Sequence, residues 1–224
     1  MAAGDRCVVM DRAGNRFQAR IESAAHKEVR VMLERPLPAP PPSPVEITLC
    51  QALLKSRPMD YVIQKTSEIG VHSIIPFLSH RTVVRVEETR VSGKLRHWRE
   101  VARDAATQSD RASPAQLESP AAFTSLMARW RHVEALKVLL WEQEDSQDLK
   151  GLLRQSPAAK RFIALIGPEG GFERSEVESA RAAGFTAVSL GSRILRAETA
   201  AVTIVAIVQY EWGDLGLLTP ERRT

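Results

Sequence analysis

Two stretches near the C-terminal end concentrate the residue types that chemistry needs. The first, Ile166-Gly167-Pro168-Glu169-Gly170-Gly171, closes the apolar run Phe162-Ile163-Ala164-Leu165-Ile166. The second, Leu190 to Thr199, reads Leu-Gly-Ser-Arg-Ile-Leu-Arg-Ala-Glu-Thr. In each, a strand-length apolar run stops at a glycine and a helical pattern follows. Glycine lets backbone N–H and C=O groups come close to a ligand, and Pro168 stiffens the first turn. Turns of this kind at the carboxyl ends of parallel strands are where open α/β sheets bind ligands. The two are expected to form one pocket for a small ligand, although a plain tight turn would use the same residues.

Spacing narrows the ligand. The glycines do not follow G-x-G-x-x-G, and the lysine and hydroxyl residue of a P-loop are absent, so phosphate binding is not the natural reading. Ser175-Glu176-Val177-Glu178 fits a capping box for the helix after the first turn. At the second turn Glu198 or Thr199 is a candidate cap for the last helix, and an acid there suits the positive end of the helix dipole. Arg196 has no such structural duty.

Positioning these turns requires a sheet, and the pattern supplies one. Strands are expected at Val45 to Leu53, Ser73 to Leu78, Thr82 to Val86, Leu136 to Trp141, Arg161 to Ile166 and Ala187 to Leu190. Helices are expected at Pro58 to Ile69, Ser92 to Gln108, near Asp148 to Arg154, at Glu173 to Ala183 and at Glu198 to Trp212. This alternation predicts an α/β fold with a mostly parallel sheet covered on both faces. Ahead of it lies a small β module, with strands at Cys7 to Met10, Phe17 to Ile21 and Val29 to Leu33 and a turn at Ala13-Gly14-Asn15. The segment Pro36 to Pro44 (PLPAPPPSP) reads as a semi-rigid spacer, and the junction is placed there, dividing 1–41 from 42–224.

Composition sets outer bounds. With 224 residues, 44% hydrophobic and 26% charged, the chain can bury a real core. A net charge of +4 permits an acidic partner such as nucleic acid. Cys7 and Cys50 lack metal-ligand spacing and sit in apolar runs, which argues against disulfide or zinc scaffolds; no metal is expected. The most apolar stretch, Ala200 to Val208, falls short of the roughly 20 residues of a membrane span, so a cytoplasmic protein is expected.

The run IGPEGGFERSEVE at 166–178 and the run LGSRILRAETAAV at 190–202 resemble the paired signatures of the RsmE family of ribosomal RNA uridine methyltransferases, within the SPOUT superfamily. The segment from Arg57 to Val71, then Ile74 to Pro76, is similar to the family's equivalent helix and strand, and the β module resembles its PUA-like RNA-binding domain. The resemblance implies a SPOUT-type sheet with a C-terminal trefoil knot, a homodimer, and S-adenosylmethionine (S-adenosyl-L-methionine) as cofactor. It implies methylation of N3 of a uridine in bacterial 16S (small-subunit) ribosomal RNA, within the 30S subunit. Cofactor contacts then fall on Leu140, Ile166, Gly167, Pro168, Gly170, Gly171, Leu190, Gly191, Ile194, Leu195, Arg196 and Thr199. RNA contacts fall on Arg57, Lys65, Arg81, Gln108 and Arg111. Arg196 is the candidate cation and Glu198 and Glu169 the candidate bases, because removing the N3 proton leaves charge on the ring carbonyls.

This sequence departs from the family pattern in three places. Thr107 stands where Glu is usual, and Asp110 where a small residue, often Gly, is usual. The PUA-like module is expected to be incomplete at its start, without an opening strand and a His-bearing segment. Two alternatives stay open: another SPOUT enzyme acting on a ribose 2′-OH or a transfer RNA base, and a non-catalytic RNA-binding protein.

Overall fold

The computed structural model describes residues 2–11, 14–26, 28–84 and 88–217. Strands β1 (Arg6–Met10), β2 (Arg16–Ala25) and β3 (Glu28–Leu37) form an antiparallel sheet in that order. Its buried apolar residues are few, with Ala19 and Ile21 inside and Val8, Val29, Met32 and Leu33 exposed. The remainder alternates: β4 (Glu46–Ala52), α1 (Ser56–Ile69), β5 (Ser73–Leu78), α2 (Glu88–Gln108), β6 (Gln116–Leu117), β7 (Ala121–Ala122), α3 (Phe123–Trp130). Then come β8 (Leu136–Leu140), α4 (Leu149–Gln155), β9 (Arg161–Ile166), α5 (Arg174–Ala182), β10 (Thr186–Val188) and α6 (Ala197–Trp212).

The second sheet runs β10-β8-β9-β4-β5-β6, with β7 also on β5, and every pairing is parallel. Period-two alternation sends Ile47, Leu49, Val138, Phe162 and Ala164 into one core with α1, α2, α4 and α6. Cys50, Ile75, Phe77, Leu139, Ile163 and Leu165 enter the other, against α3 and α5. Sheets buried on both faces read as continuous apolar runs, as Phe162 to Ile166 does. Register aligns the strand ends: Gln51 faces Ile166, Leu139 faces Leu165, and Leu140 faces Val188. The carboxyl ends of four adjacent strands thus share one edge.

Several expectations need correction. Pro36 and Leu37 belong to β3 rather than to the spacer, because β3 is an edge strand whose outer side needs no N–H donor. No strand forms at 82–84, and the rest of the expected strand Thr82 to Val86 lies outside the described residues, as does Ala13 of the expected turn. The capping box begins two residues earlier than expected, at Glu173 with Glu176 as its third helical residue. Neither Glu198 nor Thr199 caps α6; its N-cap is Arg196, with no side-chain hydrogen bond, and Glu198 lies in the first turn.

Candidate functional site

Three loops meet at the shared edge: 141–148 after β8, 167–173 after β9 and 189–196 after β10. The first and third are stitched by backbone hydrogen bonds, Ser189 N–H to Gln147 O at 3.0 Å and Leu149 N–H to Ser189 O at 3.1 Å. Trp141 N–H adds a bond to Val188 O at 3.0 Å. The glycine turn closes on itself through Gly171 N–H to Pro168 O at 2.9 Å, with Gly171 at φ 69°. The positive φ of Gly171 disfavours any side chain there; a Cβ would also stand 2.7 Å from Oε1 of exposed Glu142, a carboxylate free to turn away. Gly191, at φ 102°, has open space where a Cβ would stand.

Two buried carboxylates hold these loops in shape. Glu144 accepts from Ser146 N–H at 3.1 Å, from Ser146 Oγ, and from Arg181 Nη2 at 2.7 Å. Those hydrogen bonds, with Ser146 first and Arg181 adding its charge, hold its carboxyl below the ordinary carboxylate range. Arg181 lies over the Trp141 ring at 5.8 Å, so the brace joins α5 to the loop after β8. Glu176, only 2% exposed, accepts from Glu173 N–H at 3.0 Å, Ser79 Oγ at 3.1 Å and His80 N–H at 3.0 Å. This fastens the loop after β5 against the glycine turn, where Arg81 Nη1 donates to Gly170 O at 3.0 Å.

The expected cofactor residues cluster around that edge. Ile166, Gly167 and Pro168 are buried, Leu140, Leu190 and Gly171 half-buried, and Gly170 and Gly191 exposed. Ile194 is 89% exposed and Leu195 half-buried on the following loop, ahead of exposed Arg196 and Thr199. Glu169 is exposed at the tip of the glycine turn, and Glu198 is half-buried. Arg196, Glu198 and Glu169 make no ion pair or side-chain hydrogen bond among the described residues, which leaves their polar groups available.

The expected RNA residues are more scattered. Arg57 is exposed at the start of α1, and Lys65 is paired with Glu68 at 2.8 Å. Gln108 is exposed at the end of α2. Arg111 is half-buried and donates to Ser67 O at 2.7 Å; burial pushes its guanidinium pKa down, with the Asp214 charge opposing. Arg81 serves the glycine turn as described. Sequence reasoning missed the bracing role of Glu176, Glu144 and Arg181. For Glu144 the one available signal was its place in the acidic stretch Glu142-Gln143-Glu144-Asp145 after the apolar run of β8.

Two buried polar atoms at this edge have no hydrogen-bond partner among the described residues, Gln51 Oε1 at the end of β4 and Trp141 Nε1 just past β8. Unsatisfied buried groups are uncommon. Cys50, by contrast, is a structural thiol: burial pushes its pKa up to about 12.

Residues 41–209 match the family model described as an RNA methyltransferase domain. Ribosomal RNA small subunit methyltransferase E of Mycobacterium bovis is 30% identical over 96% of this chain and 79% of its own length. A Legionella pneumophila methyltransferase solved with bound SAM superposes with a TM-score of 0.82 at 31% identity, covering 96% of this chain and 86% of that one. The Neisseria gonorrhoeae ribosomal RNA small subunit methyltransferase E, bound to S-adenosyl methionine, gives 0.79 at 27% identity with the same coverage, 96% and 86%. The chain belongs to the RNA methyltransferase family that includes ribosomal RNA small subunit methyltransferase E.

Proposed function

We propose that this chain uses S-adenosylmethionine to methylate N3 of a uridine in 16S, small-subunit ribosomal RNA. The observation that carries the reading is the meeting of three loops at the carboxyl edge of adjacent parallel strands, over the apolar side chains Leu140, Ile166 and Leu190. Similar structures solved with that cofactor, one of them a ribosomal RNA small subunit methyltransferase E, support it.

The residues present fit the cofactor. An apolar floor suits a purine and a thioether-like chain, the glycine turns offer backbone groups, and Gln51 Oε1 and Trp141 Nε1 are buried without partners. Ile166, Gly167, Pro168, Gly170 and Gly171 would line one side, with Leu140 beneath and Leu190, Gly191, Ile194, Leu195 and Thr199 opposite. When bound, S-adenosylmethionine supplies an electrophilic methyl group on a sulfonium. The chain's own contribution is position and charge. Arg196, free of any carboxylate, offers paired N–H donors to the uridine carbonyl oxygens as negative charge develops there. Glu198 or Glu169 accepts the N3 proton.

The module at 1–41 is read as a PUA-like RNA-binding unit and 42–224 as the catalytic domain. Arg57, Lys65, Arg81, Gln108 and Arg111 supply RNA contacts, and the target base must be unstacked to reach the pocket. The trefoil knot belongs to the family reading; the strand order, with β9 inside β8 and β10 outside it, and the backbone bonds tying Ser189 to Gln147 and Leu149 are compatible with it. A homodimer is supported by Ile207 and Tyr210 of α6 and Tyr61 of α1, exposed at 37%, 71% and 48% on helices packed together. Work within the 30S subunit places the protein in the cytoplasm. Among the described residues no helix is long and apolar enough to cross a membrane, and no three His, Cys, Asp or Glu group to hold a metal.

Calorimetric titration with S-adenosylmethionine tests the pocket. One binding event per chain is expected, and binding of RNA without any heat from the cofactor would favour the non-catalytic alternative. Light scattering tests the dimer, which a monomer at working concentration contradicts.

A further inference from the structure

The seam between the three-stranded module and the parallel sheet carries an ion pair. Only there does a non-glycine residue among the described ones adopt a left-handed backbone: Asp110, at φ 57°. It follows α2 in a Schellman-type ending, with Arg111 N–H on Ala106 O at 2.9 Å and Asp110 N–H on Thr107 O at 3.5 Å. That position favours glycine, and an aspartate there sacrifices some stability. Its carboxylate is used: it pairs with the guanidinium of Arg16 at the start of β2. Arg16 is held a second time, by Pro38 O at 2.9 Å, and its side chain is 11% exposed against 52% for Asp110.

Nearby contacts tie this pair into both halves. A Cβ on Gly14 would stand 3.1 Å from Ala112 O, so the turn before β2 lies against the residues just after Asp110. Arg111 in turn reaches Ser67 O of α1 at 2.7 Å. A cavity of about 60 Å³ remains between Val8, Met10, Thr107 and the two arginines. Val8, on the module's side of that cavity, is 53% exposed, so apolar burial at this point of the seam is incomplete.

We propose that the Arg16–Asp110 pair is a clasp that sets the orientation of the module on the methyltransferase sheet, making Asp110 a positioning residue for RNA and not for cofactor. The inference rests on the reading of the module as RNA-binding. The clasp holds the module's RNA surface in register with the pocket, so its loss weakens productive RNA binding and leaves the pocket intact.

Asp110→Gly suits the test because glycine fits the left-handed backbone, and Asp110→Asn keeps shape while removing charge. Methyl transfer to small-subunit RNA is expected to show KM raised roughly fivefold in either variant, with kcat and the S-adenosylmethionine Kd unchanged. Arg16→Gln is expected to match them, and the double variant Arg16→Gln with Asp110→Asn to be no worse than either single one. Amide hydrogen exchange in β1 and β2 is expected to quicken in Asp110→Gly. An unchanged KM, a cofactor Kd that moves with KM, or additive losses would overturn the clasp. If the unaltered protein methylates no small-subunit RNA, the functional reading fails instead, and hydrogen exchange still decides the clasp: unchanged protection refutes it.

Discussion

Glu176→Gln replaces one oxygen by an amide nitrogen, and the geometry around that carboxylate fixes the consequence. Oε2 accepts from Glu173 N–H and Ser79 Oγ, while Oε1 accepts from His80 N–H. A glutamine has one acceptor oxygen. With that oxygen in the Oε2 position, its NH₂ faces His80 N–H, donor against donor. With the amide turned over, the NH₂ faces Glu173 N–H, and only Ser79 Oγ can adapt by accepting. Either way one backbone donor in a buried setting loses its partner, at a cost of about 1–3 kcal/mol. For a chain of this size that corresponds to a Tm lower by roughly 2–12 °C. Glu176→Ala strands both backbone donors and leaves a void, so its cost is expected to exceed that of Glu176→Gln by about 1–2 kcal/mol. Urea unfolding followed by tryptophan fluorescence measures both. Because the lost bonds fasten the loop after β5 to the glycine turn, cofactor affinity is expected to fall in the same order. A Glu176→Gln protein within about 0.5 kcal/mol of the parent would refute the reasoning, since that is the range of surface substitutions that touch nothing.

Three further outcomes follow from the site. Arg196→Ala is expected to lower turnover about 100-fold with little change in cofactor Kd, read by single-turnover transfer and calorimetry; an unchanged rate with weakened cofactor binding would reassign Arg196 to the cofactor. Glu144 has a carboxyl pKa depressed in the folded state, so its stabilising effect is present above the ordinary carboxylate range and lost as pH falls through the folded-state value. Unfolding curves should therefore separate Glu144→Gln from the parent at neutral pH and converge under acid conditions, whereas a constant gap across pH would contradict the Arg181 and Ser146 brace. Cys50, fully buried, is expected to resist a thiol reagent until the protein unfolds, while half-buried Cys7 reacts first; mass spectrometry of partly labelled protein distinguishes the two.

What the sequence made legible follows the range of the interactions involved. The strand Arg161–Ile166 and its glycine turn could be read because an apolar run and its terminator are neighbours in the chain. The helix Phe123–Trp130 escaped, being eight residues long and preceded by Ala122, which offers no capping side chain. The carboxylates that hold the site together were invisible for another reason. Glu176 meets Ser79 across 97 residues, Arg181 meets Glu144 across 37, and Arg16 meets Asp110 across 94. Local spacing carries no trace of such pairs. Asp110 is the partial exception: an acid at a glycine-favouring position was visible as a departure, and only the fold supplied Arg16 as its reason. The capping box shows the same limit on a smaller scale, since Glu173 and Ser175 both precede acids at the right spacing and only geometry chose between them.

On the proposed reaction a single atom, N3 of one uridine, receives the methyl group. Small ribosomal subunits from cells lacking the endogenous enzyme, incubated with this protein and labelled S-adenosylmethionine, allow the modified nucleotide to be mapped by nuclease digestion and mass spectrometry. Label is expected on a single uridine of small-subunit RNA, carried on the base at N3. Label in large-subunit RNA, or on a ribose 2′-OH, would contradict the proposed reaction.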